Sequence, residues 1–168
     1  MHPYVALAKQ AIEGYVLTGF KLIPPDPVPE NMAKPAGAFV SLKKGGELRG
    51  CIGTIEPTHK DLSREIIDNA VAAAVRDPRF PPVTPDELAA LDISVDVLSP
   101  PEPVAGPEEL DPKRYGVIVS AGRRRGLLLP DIGGVNTAFE QIAICRRKGG
   151  IRPDEEVTLQ RFTVDRYK

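Results

Sequence analysis

The chain has 168 residues, a net charge of −1 and a pI near 6.2, which excludes a protein whose whole surface grips nucleic acid. Its 42% hydrophobic and 27% charged residues are those of an ordinary soluble globular protein. No apolar run reaches the roughly 18 residues needed to span a bilayer.

That length suits a single domain, residues 1–168, built as one core or as a core with a smaller subdomain. The start, Met1-His2-Pro3-Tyr4, lacks the basic-then-apolar pattern of a signal peptide, so the expected compartment is the cytoplasm. Cys51 and Cys145 do not make a disulfide framework, and there is no Cys-x-x-Cys pair. With only His2 and His59 besides, no closed zinc site is expected, and no cofactor or metal is assigned.

Val5, Ala8, Ile12 and Tyr15 or Val16 recur at helical spacing, predicting a helix from Pro3 to about Tyr15 with Gly19 near its end. Pro24-Pro25-Asp26-Pro27-Val28-Pro29 forbids regular structure and reads as an extended surface connector.

The next stretch carries most of the chemistry. Ala38-Phe39-Val40-Ser41-Leu42 reads as a strand, and Gly45-Gly46-Glu47-Leu48-Arg49-Gly50-Cys51-Ile52-Gly53-Thr54 follows it. The alternation predicts a hairpin with Lys44-Gly45-Gly46 as a three-residue loop. That loop pairs Leu42 with Leu48, Ser41 with Arg49, Val40 with Gly50 and Phe39 with Cys51. Arg49 and Cys51 then share a face, about 6–7 Å apart along the strand. A permanent cation beside a thiol favours the thiolate, the form that reacts. The same residues also read as structure, since cysteine is commonly buried and strand glycines mark bulges or close backbone approaches.

Beyond the hairpin, Thr58 is the expected N-cap of a helix running to about Arg76, with Asp61 completing a short capping box. Leu62, Ile66, Ala70 and Ala73 line its buried face. His59 then falls in the first turn, where the helix N-terminus favours an anion and the histidine can return toward Cys51. Asp77-Pro78-Arg79-Phe80-Pro81-Pro82 stops the helix and holds Arg79 in a stiff loop. Pro85-Asp86-Glu87-Leu88 suggests a short helical turn. Leu91–Leu98 alternates strictly, with Leu91, Ile93, Val95 and Val97 inward and Asp92, Ser94 and Asp96 on a solvated face. The aspartates, ~13 Å apart, are too distant for a catalytic pair.

A polar loop is expected from Ser99 to about Tyr115, then a second hairpin of Gly116–Ala121 and Gly126–Pro130, buried on both faces. Arg123-Arg124-Arg125 clusters at its turn, either solvated or set to hold a phosphate or carboxylate. Thr137-Ala138-Phe139-Glu140 is a capping box that opens a helix ending at Gly149-Gly150. Phe139, Ile142 and Ala143 are its predicted buried stripe, with Cys145 a core or boundary residue. Val157–Val164 alternates as a final strand. Hairpins with irregularly placed helices make the fold class α+β, with a mainly antiparallel sheet and flanking helices.

Leu48-Arg49-Gly50-Cys51-Ile52-Gly53-Thr54 resembles the signature of the AMMECR domain family, whose bacterial and archaeal members are also called AmmeMemoRadiSam system protein A. Arg76-Asp77-Pro78-Arg79-Phe80-Pro81-Pro82, Leu127-Leu128-Leu129-Pro130-Asp131 and the Cys145–Lys148 helix end are similar to later family elements, so the resemblance covers nearly the whole chain. It implies the same α+β class, with a larger and a smaller subdomain around a cleft where the motif residues gather. The residues it carries over are Arg49, Gly50, Cys51, Gly53, Thr54 and Arg79.

Two kinds of function follow. In the first, the chain is an enzyme in which Cys51 is nucleophile or thiol carrier beside Arg49, with Gly50, Gly53, Thr54, His59 and Arg79 holding a small or RNA-linked anionic substrate. No Cys/His spacing supplies its general base. In the second, it is a non-catalytic module that binds a small anionic ligand or an RNA phosphate. The resemblance also implies an adaptor role, with a Memo-type protein and a radical SAM enzyme as partners. Any iron–sulfur centre would belong to that partner, because this chain lacks a Cys-x3-Cys-x2-Cys cluster.

Overall fold

The computed structural model describes all 168 residues. Its strands are β1 (Ala38–Lys44), β2 (Glu47–Gly53), β3 (Leu91–Leu98), β4 (Glu102–Val104), β5 (Gly116–Ala121), β6 (Arg124–Leu128), β7 (Thr158–Phe162) and β8 (Val164–Tyr167). Its helices are α1 (Pro3–Thr18), α2 (Leu62–Val75) and α3 (Ala138–Gly149). The chain divides into two compact units: Met1–Leu98 with Asp165–Lys168, and Ser99–Val164. The sheets are β2-β1-β3-β8 and β4-β7-β5-β6, so the fold is α+β with antiparallel sheets and flanking helices. No helix is long and apolar enough to cross a membrane.

In the first unit α1 starts at Pro3, whose fixed φ suits a first helical position, and His2 Nδ1 accepts the Tyr4 N–H at 3.2 Å. It stops at Gly19, whose φ of 76° is left-handed. Val5, Ala8, Ala11 and Ile12 pack with Ile66, Ala70, Val71 and Ala73 of α2 over Val40, Leu42 and Val95 of the sheet. Burying one such isoleucine or valine stabilises by about 1.5–3 kcal/mol, so this apolar layer is what seats the helices.

The cap of α2 is Asp61 rather than Thr58. Its carboxylate accepts the Arg64 N–H at 3.0 Å and the Ser63 hydroxyl at 2.5 Å, which places Thr58 and His59 in the loop before the helix. Along β3 the inward residues fall as the alternation requires, but Asp96 is buried, gripped by both nitrogens Nε and Nη2 of Arg166 at 2.7 and 2.8 Å. A bidentate arginine is what lets that carboxylate leave water.

In the second unit α3 lies on β5 and β6, its Cys145 packed with Val117, Val119 and Leu128. Val117, Ile118 and Val119 are all fully buried, as the uninterrupted apolar run requires. The buried stripe of α3 is Gln141 and Cys145, and Phe139 is 75% exposed. Gln141 takes an inward position because its Nε2 donates to the Tyr115 carbonyl at 2.9 Å. The arginine cluster is divided. Gly122 and Arg123 make the turn, Arg124 and Arg125 belong to β6, and Arg124 pairs with Glu155. The loop expected after Ser99 contains β4, which pairs with β7. The final strand is two strands in different sheets, broken at Thr163.

Candidate functional site

Gly45 and Gly46 have φ of 59° and 81°, so the hairpin turn holds only those two residues, in the backbone sense that suits strand twist. Lys44 faces Glu47 and Lys43 faces Leu48. A bulge then shifts the pairing to Leu42–Gly50, Ser41–Cys51, Val40–Ile52 and Phe39–Gly53. The expected Phe39–Cys51 and Ser41–Arg49 pairs do not form, because Arg49 is the extra residue of the bulge. Gly50 therefore faces α2, where a Cβ would collide with the Ala73 carbonyl. Cys51 faces the other way, with Sγ 3.1 Å from Ser41 Oγ on the outer side of the sheet.

The bulge also aims Arg49. Its Nε and Nη2 donate to the two oxygens of Glu87 at 3.0 Å each, and Lys44 Nζ reaches the same carboxylate at 3.1 Å. Glu87 further accepts the Thr84 N–H, as part of a capping box on the 3₁₀ turn Pro85–Ala90. The Arg49 guanidinium, then the Thr84 N–H, hold the Glu87 carboxyl well below the usual carboxylate range. Arg49 Nη1 is buried with no hydrogen-bond partner.

The other side of Cys51 meets Asp77 and Arg79. The Cys51 N–H donates to Asp77 Oδ2 at 3.0 Å, and Arg79 Nη2 donates to the Cys51 carbonyl at 3.3 Å. Asp77 also accepts the Arg79 backbone N–H, Nε and Nη2, and these bonds, the guanidinium's first, hold its carboxyl well below the ordinary range. Because β2 is an edge strand, this turn occupies the place where another strand would pair.

Thr54 and His59 belong to a second network. Thr54 Oγ1 donates to Glu65 Oε1 at 2.5 Å, and Glu65 also accepts the N–H groups of Thr58 and His59. Asn69 Nδ2 donates to the Ala38 carbonyl and to Thr54 Oγ1. The His59 ring is paired through Nε2 with Asp68, 2.6 Å away, and Lys21 takes the other oxygen of that carboxylate. Gly53 lies against the Phe39 ring, with no room for a side chain.

Around Cys51 the fold thus gathers Ser41, Asp77 and Arg79, while Arg49 turns to Glu87 and His59 to Asp68. Ser41, Glu65, Asp77 and Glu87 carry these networks and were not singled out from the sequence. A signal existed for two of them: Asp77 stands in the Arg79 motif, and Glu87 stands three residues after Thr84 as a capping acid. Cys145 is buried in the second unit, its thiol donating to the Val117 carbonyl at 3.7 Å, and burial pushes it up to about 11.

A family model, AMMECR1, matches residues 5–168. The chain belongs to the AMMECR1 family. A Thermotoga maritima protein is 58% identical over 170 residues, covering 99% of this chain and 98% of its own length. A Clostridium acetobutylicum protein is 51% identical over 99% of this chain, which spans only 36% of that longer protein. The crystal structure of an uncharacterized Pyrococcus horikoshii protein matches with a TM-score of 0.88 at 36% identity, covering 97% of this chain and 88% of that one. The segment Leu48–Thr54, within the matched residues, bends at Arg49, closes on α2 at Gly50 and is fastened at Cys51 and Thr54.

Proposed function

We propose that this AMMECR1-family chain works as a non-covalent binding module for a small anionic ligand. One observation carries the reading. Each group that would activate or assist Cys51 is already held by a carboxylate: Arg49 by Glu87, Arg79 by Asp77 and His59 by Asp68. A nucleophilic cysteine needs a base or a cation committed to its sulfur. The Cys51 sulfur has the Ser41 hydroxyl at 3.1 Å, and Arg79, near enough to interact electrostatically with the thiol, gives its guanidinium to Asp77 and to the Cys51 carbonyl.

A second reading keeps Cys51 as a nucleophile or thiol carrier, and the half-buried thiol beside a hydroxyl supports it. Iodoacetamide labelling separates the two. Under the binding reading, Cys51 in the folded protein is alkylated no faster than free cysteine, and Arg49→Gln leaves that rate unchanged. Labelling about tenfold faster than free cysteine, slowed by Arg49→Gln, would overturn the binding reading in favour of thiol chemistry. In either role the chain is an adaptor candidate for a Memo-type protein and a radical SAM enzyme. Co-purification at micromolar concentration tests that, and separate elution of all three counts against it.

A further inference from the structure

The outer face of the first sheet leads to a pocket of about 640 Å³ at the free edge of β3. The edge is free because β8 is short. Ser99 donates its N–H to the Thr163 carbonyl at 3.0 Å, and Arg166 grips Asp96. Antiparallel counting from those pairs brings Lys168 level with Ser94. β3 continues through Ile93, Asp92 and Leu91 with β1 on one side and no strand on the other. Half of the backbone polar groups along such a run point away from the paired strand, so this edge offers N–H and C=O groups to whatever fills the pocket.

The lining has two characters. Val5, Leu88, Ala89, Leu91 and Ile93 make it mostly apolar. Ser41, Ser94, Lys9, Lys43, Arg166 and Lys168 supply hydroxyls and positive charge, and Asp92 is the only acidic side chain. Arg166 is already bound to Asp96 and Lys9 has Glu13 at 3.8 Å, whereas Lys43 and Lys168 make no side-chain ion pair. In a chain of net charge −1 this is a local cationic excess beside an apolar wall. Concave, largely apolar sites with a few convergent polar groups are the usual form of small-molecule sites.

We infer that this pocket binds a small amphipathic anion, its apolar part against Val5, Leu88, Leu91 and Ile93 and its carboxylate or phosphate toward Lys43 and Lys168. The inference rests on the binding reading above and gives it a site and a ligand class. Ser41, whose hydroxyl lies 3.1 Å from the Cys51 sulfur, also lines this pocket.

The test is titration with octanoate, octyl phosphate and octanol, followed by amide NMR of the whole chain. Expected are saturable shifts at Leu91–Ser94 and Val5, with the acids bound about tenfold tighter than octanol. The preferred acid identifies a carboxylate or a phosphate as the natural headgroup. The double variant Lys43→Gln/Lys168→Gln is expected to bring the acids down to the affinity of octanol, and Lys43→Arg/Lys168→Arg to restore them. Equal binding of octanol and the acids, shifts confined to other regions, or no saturation at low-millimolar probe would overturn the inference. An inert thiol with no acid bound at this site sinks the pocket alone. A fast-alkylating Cys51 with acid bound here sinks only the non-covalent reading.

Discussion

Asp77 holds Cys51 by its backbone: Asp77 Oδ2 accepts the Cys51 N–H at 3.0 Å, and Arg79, bound to the same carboxylate, reaches the Cys51 carbonyl at 3.3 Å. The pair of residues therefore fixes the position of the thiol without touching it. It also closes an edge strand whose unpaired groups would otherwise be open to another chain.

Asp77→Ala is expected to cost about 2–3 kcal/mol, since it leaves the Cys51 N–H without its acceptor and takes from Arg79 the carboxylate that holds its guanidinium in place. Urea unfolding measures it. A loss below about 0.5 kcal/mol would mean water or a neighbour replaces the carboxylate at little cost.

Acid should unfold the protein through these carboxylates. Asp61, Asp68, Asp77 and Glu87 are all lowered, their hydrogen-bond donors and paired cations outweighing the upward pull of burial, and Glu155 is lowered to about 2. A depressed acid contributes its full stabilisation above its unfolded value and loses it as pH falls toward the folded one. The melting temperature should thus hold steady down to about pH 5 and fall below about pH 4. Asp77→Asn and Glu87→Gln are expected to lower the plateau and flatten that acid limb. An unchanged limb in both variants would assign the acid transition to other groups.

Two glycine substitutions should act in opposite directions. Gly50→Ala drives a methyl into the Ala73 carbonyl and is expected to destabilise by about 2 kcal/mol or more. Gly14→Ala, in α1 with nothing near the added carbon, is expected to stabilise by about 0.5–1 kcal/mol. Thermal melts of the two variants check both signs.

Thiol counting with a disulfide reagent at pH 8 should find one reactive group in the folded chain and two in denaturant. Cys51 is half-buried, whereas Cys145 is fully buried and pushed up to about 11. Two fast thiols in the folded protein would mean that the second unit opens readily around α3.

Features carried by local pattern were legible in the sequence: Leu91–Leu98 as a strand to the residue, the Thr137 cap and the two hairpins. Features set by one extra residue or by a distant partner were not. The bulge at Arg49 moves Cys51 from Phe39 to Ser41, and no periodicity marks it, because Glu87 lies far along the chain. Thr58 is the cap that the local pattern predicts, but Glu65 takes the Thr58 N–H and hydroxyl for itself, and Asp61 caps the helix instead. The stripe predicted for α3, Phe139, Ile142 and Ala143, missed Gln141, whose inward position depends on the distant Tyr115 carbonyl. Thr163 interrupts an alternation that reads as continuous, since a change of sheet leaves the period of two intact. The same holds for the site, where the signature was visible but the carboxylates that occupy its cations were not.

The junction at Ser99 and Thr163 also fixes how the second unit is threaded into the chain. The chain leaves the first unit after Leu98 and returns at Asp165, and the residues beside those two crossings are bonded to each other, Ser99 N–H to the Thr163 carbonyl and Thr163 N–H to Ser99 Oγ at 2.8 Å. Entrance and exit are thus neighbours, the arrangement that tolerates domain insertion. The second unit has the form of a cassette set into the turn of a β3–β8 hairpin. A short turn in place of residues 100–162 would restore that hairpin with the whole Leu48–Thr54 signature intact.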